Sequence, residues 1–198
     1  MINILLTGVG GQGTVLASKV LAQAAQDRGW PVRTAETIGM AQRGGSVVSH
    51  VRMGNLPGEQ VHSPLISQGT ADLIIAFEPA EGARVLPYLS STGALVTATT
   101  AISSVTSTLG KNPYRGATAI RSLVDAFSDV PERLVIVPDT AILKRVGNRK
   151  ALNTVMLASA IKLGVVPLTI DDLYAAVEAC VKQKYVDLNL RAIDAATA

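Results

Sequence analysis

Cysteine is almost missing from this chain: its 198 residues include one, Cys180. A [4Fe–4S] cluster is ordinarily held by four thiolates, and a structural zinc site needs several Cys or His at set spacings. Cys180 has only His50 and His62 to join it, so a redox metal centre within this chain alone is excluded. Aromatic residues are scarce at 4%, and the net charge is only +3, with Lys and Arg scattered. A nucleic-acid surface wants clustered cations and stacking rings, so no nucleic-acid partner is expected. No apolar run approaches the roughly 20 residues of a membrane span. Met1 leads straight into an apolar strand rather than a leader, so a cytoplasmic protein without a membrane partner is expected. Charged residues make up 17%, against roughly 25% in average soluble chains. That is too little charge to coat a free monomer generously, and a partner surface is inferred.

What is present is apolar and ordered by periodicity. Hydrophobic residues make up 48% of a length that suits one domain, residues 1–198, with a full core. Ile2, Ile4, Leu5 and Leu6 form a buried strand that breaks into Gly8, Gly10, Gly11, Gln12 and Gly13. Ala17, Val20, Leu21 and Ala24 then recur at helical spacing, and Gly29 marks a stop. Strand, glycine turn and helix follow in that order. Such a turn brings bare backbone and a helix start together, which suits a phosphate or carboxylate. Gly8, Gly10 and Gly13 also satisfy G-x-G-x-x-G, and Glu36 closes the next strand, Pro31 to Ala35, where a dinucleotide enzyme holds its ribose. The plainer reading is that the glycines let the helix, or another subunit, approach closely.

Further along, Ser46 to Met53 reads as a strand exposed on one side, with His50 as a surface or interface residue. The preceding segment combines Met40, Gln42, Arg43, Gly44, Gly45 and Ser46. Its guanidinium beside bendable backbone suits a carboxylate, a phosphate or a neighbouring chain, or the segment simply turns the chain. Asp72 to Phe77 reads as a strand covered on both faces, and Glu78 and Pro79 as a helix start. Gly93 to Ala98 and Leu134 to Val137 are further strands, and residues 102–114 carry no clear pattern. Asp139 and Asn148 read as N-caps, and Thr169 with Asp172 as a capping box. Cys180 shares a helical face with Leu173, Ala176, Val177 and Val181, which makes it a core thiol rather than a nucleophile. A last helix carries Val186, Leu190 and Ile193. Alternating strands and helices imply an α/β fold, a three-layer αβα Rossmann-like arrangement with a mainly parallel sheet. Its functional edge is where the strand C-termini open.

No nucleophile with an adjacent base, P-loop lysine or histidine pair at ligand spacing is present, so the residues by themselves stop at an anion- or nucleotide-binding α/β domain with a protein partner. A resemblance goes further. LLTGVGGQGTVLASKVLA, AETIGMAQRGGSVVSHVRMG and VDLNLRAIDAA resemble the gamma-type domain of the 2-oxoacid:ferredoxin oxidoreductases, in register from about Ile2 to about Ala196. GMAQRGGSVVSHVR is most similar to the small (beta) subunit of indolepyruvate:ferredoxin oxidoreductase. The resemblance implies a complex that decarboxylates a 2-oxoacid, oxidises the product through [4Fe–4S] clusters toward ferredoxin, and passes acyl to coenzyme A. It implies that thiamine diphosphate and the clusters belong to a larger partner subunit, with no catalytic residue and no metal in this chain. The loops at Gly8–Gly13 and Met40–Ser46 would then face coenzyme A or the partner. The rival is a free-standing NAD- or FAD-binding protein resting on G-x-G-x-x-G and Glu36, and a third reading is a pure assembly scaffold.

Overall fold

The structure, a computed structural model, describes residues 1–38, 45–102 and 116–198. Strand β1 (Ile2–Val9) stands inside a six-stranded sheet. Ile4, Leu5 and Leu6 are fully buried because both faces and both edges of the strand are covered, and each such side chain stabilises the fold by roughly 1.5–3 kcal/mol. Helix α1 (Thr14–Asp27) follows the glycine turn and buries Ala17, Val20, Leu21 and Ala24, the stripe read from the sequence. It ends at Arg28, and Gly29 takes the left-handed conformation at φ 73°.

The remaining elements are β2 (Val32–Ile38), β3 (Ser46–Met53), β4 (Ala71–Ala76), α2 (Pro79–Val85), β5 (Leu89–Ala98), α3 (Gly116–Ala126), β6 (Leu134–Val137), α4 (Asp139–Val146), α5 (Leu152–Lys162), α6 (Ile170–Cys180) and α7 (Val186–Thr197). The strand order is β2-β3-β1-β4-β5-β6. β1, β4, β5 and β6 run parallel, while β3 is antiparallel to both β1 and β2. The sheet is therefore mainly parallel, as expected, with one reversed strand inserted beside its centre.

One sheet face carries Ile4, Leu6, Val51, Leu73 and Ile75 and packs on α1 and α4 to α7. The other carries Leu5, Ile74 and Leu95 and packs on α2 and α3. At α6 the capping box is present: Thr169 accepts from the Asp172 N–H, and Asp172 accepts from the Thr169 N–H. Asp172 also pairs with Arg28 at 2.8 Å, fastening the start of α6 to the end of α1.

His50 departs from its expected surface position. It is 5% exposed, and the Ile66 N–H donates to its Nδ1 at 3.2 Å. Residues 54–70 fold back over this face, placing Ile66 in the core, and Tyr88, just before β5, lies edge-on to the imidazole. Arg52 on the same face is bound too, donating to Asn3 Oδ1 and to the carbonyls of Ser63 and Leu65. The alternation in β3 identifies its two faces but carries no information about a distant loop that covers one of them. Cys180 packs against the core and is half-buried, with Sγ 3.9 Å from the Lys19 carbonyl. Burial pushes its pKa up, so the thiol is held away from its reactive form.

Candidate functional site

The C-terminal ends of β1, β4, β5 and β6 open on one edge of the sheet, where the glycine turn, Glu78, Thr97 to Thr100 and Asp139 gather. The turn is closed by its own glutamine. Gln12 Oε1 accepts from the Val9 N–H and Gln12 Nε2 donates to the Phe77 carbonyl, each at 2.7 Å, so one amide clamps the ends of β1 and β4. Gly8 is required beneath it: a Cβ there would lie 2.7 Å from Gln12 Oε1 and 3.1 Å from Phe77 Cβ. The Gln12 N–H returns to the Val9 carbonyl at 3.1 Å, and the Gly10 N–H donates to the Gly45 carbonyl at 2.8 Å. The two sequence segments singled out for function are thus joined by a direct backbone hydrogen bond.

Ser46 is anchored as well. Its hydroxyl donates to Glu81 Oε2 at 2.7 Å, and Arg84 closes on both groups. Glu78 is the N-cap of α2, accepting from the Glu81 N–H at 3.0 Å while 1% exposed. Met40, Gln42, Arg43 and Gly44 lie outside the described residues, as do residues 103–115, which include most of the stretch that had no clear pattern.

Asp139 does not cap α4 as expected; Pro138 takes that position. The fully buried carboxylate instead accepts from the Thr99 N–H and Oγ1 at 2.7 and 2.6 Å, from the Thr100 N–H at 3.1 Å, and from the Thr100 hydroxyl. It therefore stitches the end of β5 to the start of α4. Asn148 does act as a cap, for the 3₁₀ turn Arg149–Ala151, accepting from the Lys150 N–H at 2.9 Å. Between these elements lies a pocket of about 400 Å³ lined by Thr100, Thr140, Leu143, Lys144, Gly147, Asn148 and Arg149. A cavity of about 720 Å³ around Trp30 and Pro57 lies at the opposite edge, away from all of these groups.

The geometry a dinucleotide needs is missing. In a Rossmann sheet β2 adjoins β1 and presents its terminal acid to the ribose. Here β3 lies between them, which sets β2 and its Glu36 two strand spacings, about 10 Å, from β1. Glu36 sits inside β2 rather than at its end, beside the Ser18 hydroxyl of α1 at 3.4 Å. Among the described residues no three His, Cys, Asp or Glu side chains form a metal-ligand group.

One residue at this edge escaped the sequence reading. Asn153, in the first turn of α5, is 5% exposed and lies against Gly13. The signal available for it was a polar residue beside Leu152, Val155 and Met156 in a helix otherwise buried almost all round.

Comparison with known proteins agrees with this architecture. An indolepyruvate oxidoreductase subunit IorB of Archaeoglobus fulgidus is 36% identical over 192 residues, spanning 97% of this chain and 92% of that protein. The gamma subunit of a keto/oxoacid ferredoxin oxidoreductase from Geobacter sulfurreducens superposes with a TM-score of 0.68 at 22% identity, over 100% of this chain and 96% of that one. A 2-oxoglutarate:ferredoxin oxidoreductase from Magnetococcus marinus, solved with 2-oxoglutarate, coenzyme A and succinyl-CoA bound, superposes with a TM-score of 0.68 at 18% identity. That match covers 98% of this chain and 30% of the larger protein. The pattern of the pyruvate ferredoxin/flavodoxin oxidoreductase family matches residues 3–198, and the chain belongs to that family.

Proposed function

We propose that this chain is the small, non-redox subunit of a 2-oxoacid:ferredoxin oxidoreductase, and that the 2-oxoacid is indolepyruvate or another arylpyruvate. The observation that carries the reading is the nearly full-length similarity to the IorB subunit of indolepyruvate oxidoreductase. In this reading residues 1–198 form a single gamma-type domain that works in the cytoplasm; among the described residues no helix is long and apolar enough to cross a membrane.

The side-chain chemistry supports a division of labour. A single thiol cannot hold a four-thiolate cluster, and among the described residues no nucleophile with its base is present at the sheet edge. Thiamine diphosphate and [4Fe–4S] clusters therefore belong to a larger partner subunit, which passes electrons to ferredoxin. Coenzyme A is the acyl acceptor, and this chain helps shape its entrance. The loop Gly8, Gly10, Gly11, Gln12 and Gly13 and the segment Met40, Gln42, Arg43, Gly44, Gly45 and Ser46 face that entrance or the partner. Two facts support treating them as one surface: the bond from the Gly10 N–H to the Gly45 carbonyl, and the Ser46 anchor on α2. The Val9, Gly10 and Gln12 N–H groups are already committed within the chain, so any anion contact falls to the remaining donors of the loop and to Arg43.

The test is reduction of a viologen dye, dependent on thiamine diphosphate and coenzyme A, with indolepyruvate and with pyruvate. It is run with this chain alone and with its copurified larger partner. Turnover is expected only with the partner and faster with indolepyruvate. NAD-dependent turnover by the chain alone, or failure to recover a larger partner, overturns the reading. In the assembled complex, Arg43→Ala is expected to raise the apparent KM for coenzyme A or the 2-oxoacid, and unchanged kinetics remove Arg43 from the entrance.

A further inference from the structure

The sheet ends in two edge strands, and they are defended unequally. β2, at one end of the strand order, carries Arg33 and Glu36, both exposed. Charges along an edge discourage another strand from adding there. β6, at the other end, reads Leu134, Val135, Ile136 and Val137, with neither a charge nor a proline. Its first three residues are only half-buried. It pairs with β5 on one side, and among the described residues no backbone group bonds to its outer edge. Alternate peptide groups of β6 therefore direct a donor and an acceptor outward.

That edge lines a groove of about 430 Å³. Ile142 of α4, Leu163 just after α5 and Ala196 of α7 supply apolar walls, and Arg145 and Lys162 supply the charge. No acidic side chain lines it. Each cation spends one donor on the end of α7: Arg145 on the Ala195 carbonyl at 3.0 Å, and Lys162 on the Thr197 carbonyl at 2.7 Å. These bonds fix both heads against the groove. Among the described residues neither forms an ion pair, so the positive charge is not neutralised within the chain.

An occupant must meet three demands at once: open peptide groups, an apolar floor and two cations. An extended segment meets them, because its backbone pairs with β6 while alternate side chains enter the groove. A helix has no free peptide groups to offer β6. A second copy of this chain, added across a two-fold axis, would set Arg145 and Lys162 of both copies on one face of the joined sheet, where like charges repel. The charge therefore selects an acidic segment. β6 is parallel to β1, β4 and β5, so a segment paired with it leads to the same sheet edge as the glycine turn.

We propose that the outer edge of β6 is a docking strand for the larger subunit, which adds there an extended segment of alternating apolar and acidic residues, its carboxylates held by Arg145 and Lys162. The sheet of six strands gains a seventh. This rests on the subunit reading above and deepens it by naming where the partner attaches and with what chemistry.

Hydrogen–deuterium exchange compares the full chain alone with its complex with the copurified larger subunit. The amides of residues 134–137 are expected to exchange roughly tenfold more slowly in the complex. A photoreactive amino acid placed at Ser159, which lines the same groove, is expected to cross-link a segment of the larger subunit that carries Asp or Glu. Arg145→Glu combined with Lys162→Glu is expected to raise the Kd of the complex roughly tenfold, and Arg145→Lys, which keeps the charge, to restore it in the singly substituted chain. Because both cations also serve the end of α7, the native complex supplies a second measurement: its Kd is expected to rise with ionic strength. Unchanged exchange at residues 134–137 in a complex that still reduces viologen with thiamine diphosphate and coenzyme A overturns the docking strand and leaves the subunit role standing. A cross-link to a second copy of this chain, or to a segment without acids, also overturns it. Failure to recover any larger partner removes the subunit reading and the docking strand together.

Discussion

Two polar centres sit at the same edge of the sheet, and they differ in how completely they are satisfied. Around Asp139, four donors from Thr99 and Thr100 converge on one fully buried carboxylate, with each oxygen engaged. Around Gly13, the N–H groups of Gly13, Thr14, Val15 and Leu16 have no acceptor among the described residues, and the buried Asn153 Oδ1 packed beside Gly13 has no donor. Burial alone does not distinguish them, since Asp139 and Asn153 are both almost inaccessible. Completeness does: a closed set of hydrogen bonds holds strands and helices together, whereas an open set leaves its buried groups unpaired at a cost in stability.

The sharpest way to break the comparison is at the closed centre. Asp139→Ala leaves the Thr99 and Thr100 donors without their acceptor, and a loss of about 3 kcal/mol or more is expected in urea denaturation. An equally large loss at Asn153 would erase the distinction. Gln12 comes next, because its amide clamps the ends of β1 and β4 together. Gln12→Ala is expected to cost about 2 kcal/mol and to speed hydrogen exchange at Val9 before the rest of β1. Gly13→Ala is smaller in stability, about 1–2 kcal/mol for a left-handed φ forced on alanine. The new methyl would also stand 3.3 Å from Asn153 Nδ2, so Asn153 must give way by a few tenths of an ångström.

A pH titration sharpens the comparison from the opposite face of the sheet. Burial lowers the His50 pKa below its ordinary value, so the unfolded chain takes up that proton first. The stability tied to His50 is complete above the ordinary histidine range, near pH 6.5, and drains as pH falls through it toward the lower folded-state value. His50→Gln is expected to flatten that part of the stability profile, and a profile that keeps its slope would assign the effect elsewhere. The smallest effect is predicted at Asn153 itself: Asn153→Leu should leave stability unchanged or raise it by up to about 1 kcal/mol.

Much of this was legible in the residues, wherever the cause was local. The helical stripe of α1, the Gly29 stop, the Glu78 and Pro79 start, the Asn148 cap and the Thr169–Asp172 box all depend on groups a few positions apart. The candidate site was read as two segments, Gly8–Gly13 and Met40–Ser46, and the structure joins them through the bond from the Gly10 N–H to the Gly45 carbonyl. His50 read as exposed because the loop that covers it comes 16 residues later. Asp139 read as a cap because local habit favours it, yet Thr99 and Thr100, some 40 positions away, claimed both of its oxygens. Asn153 could not be recognised at all, since its meaning depends on Gly13, 140 positions before it in sequence (153 − 13).

The sequence by itself determined the family, the alternation of strands and helices, and the absence of a cluster-binding thiolate set, because composition, periodicity and motif are properties of the chain read in order. Only the tertiary structure decided the strand order. The insertion of β3 between β1 and β2 takes Glu36 away from the glycine turn, and with it the dinucleotide reading of G-x-G-x-x-G. It also decided which hydrogen-bonding groups are closed and which stand open. Pairing between distant strands and donors is fixed by how the layers close over the whole core, and no window of neighbouring residues carries that information.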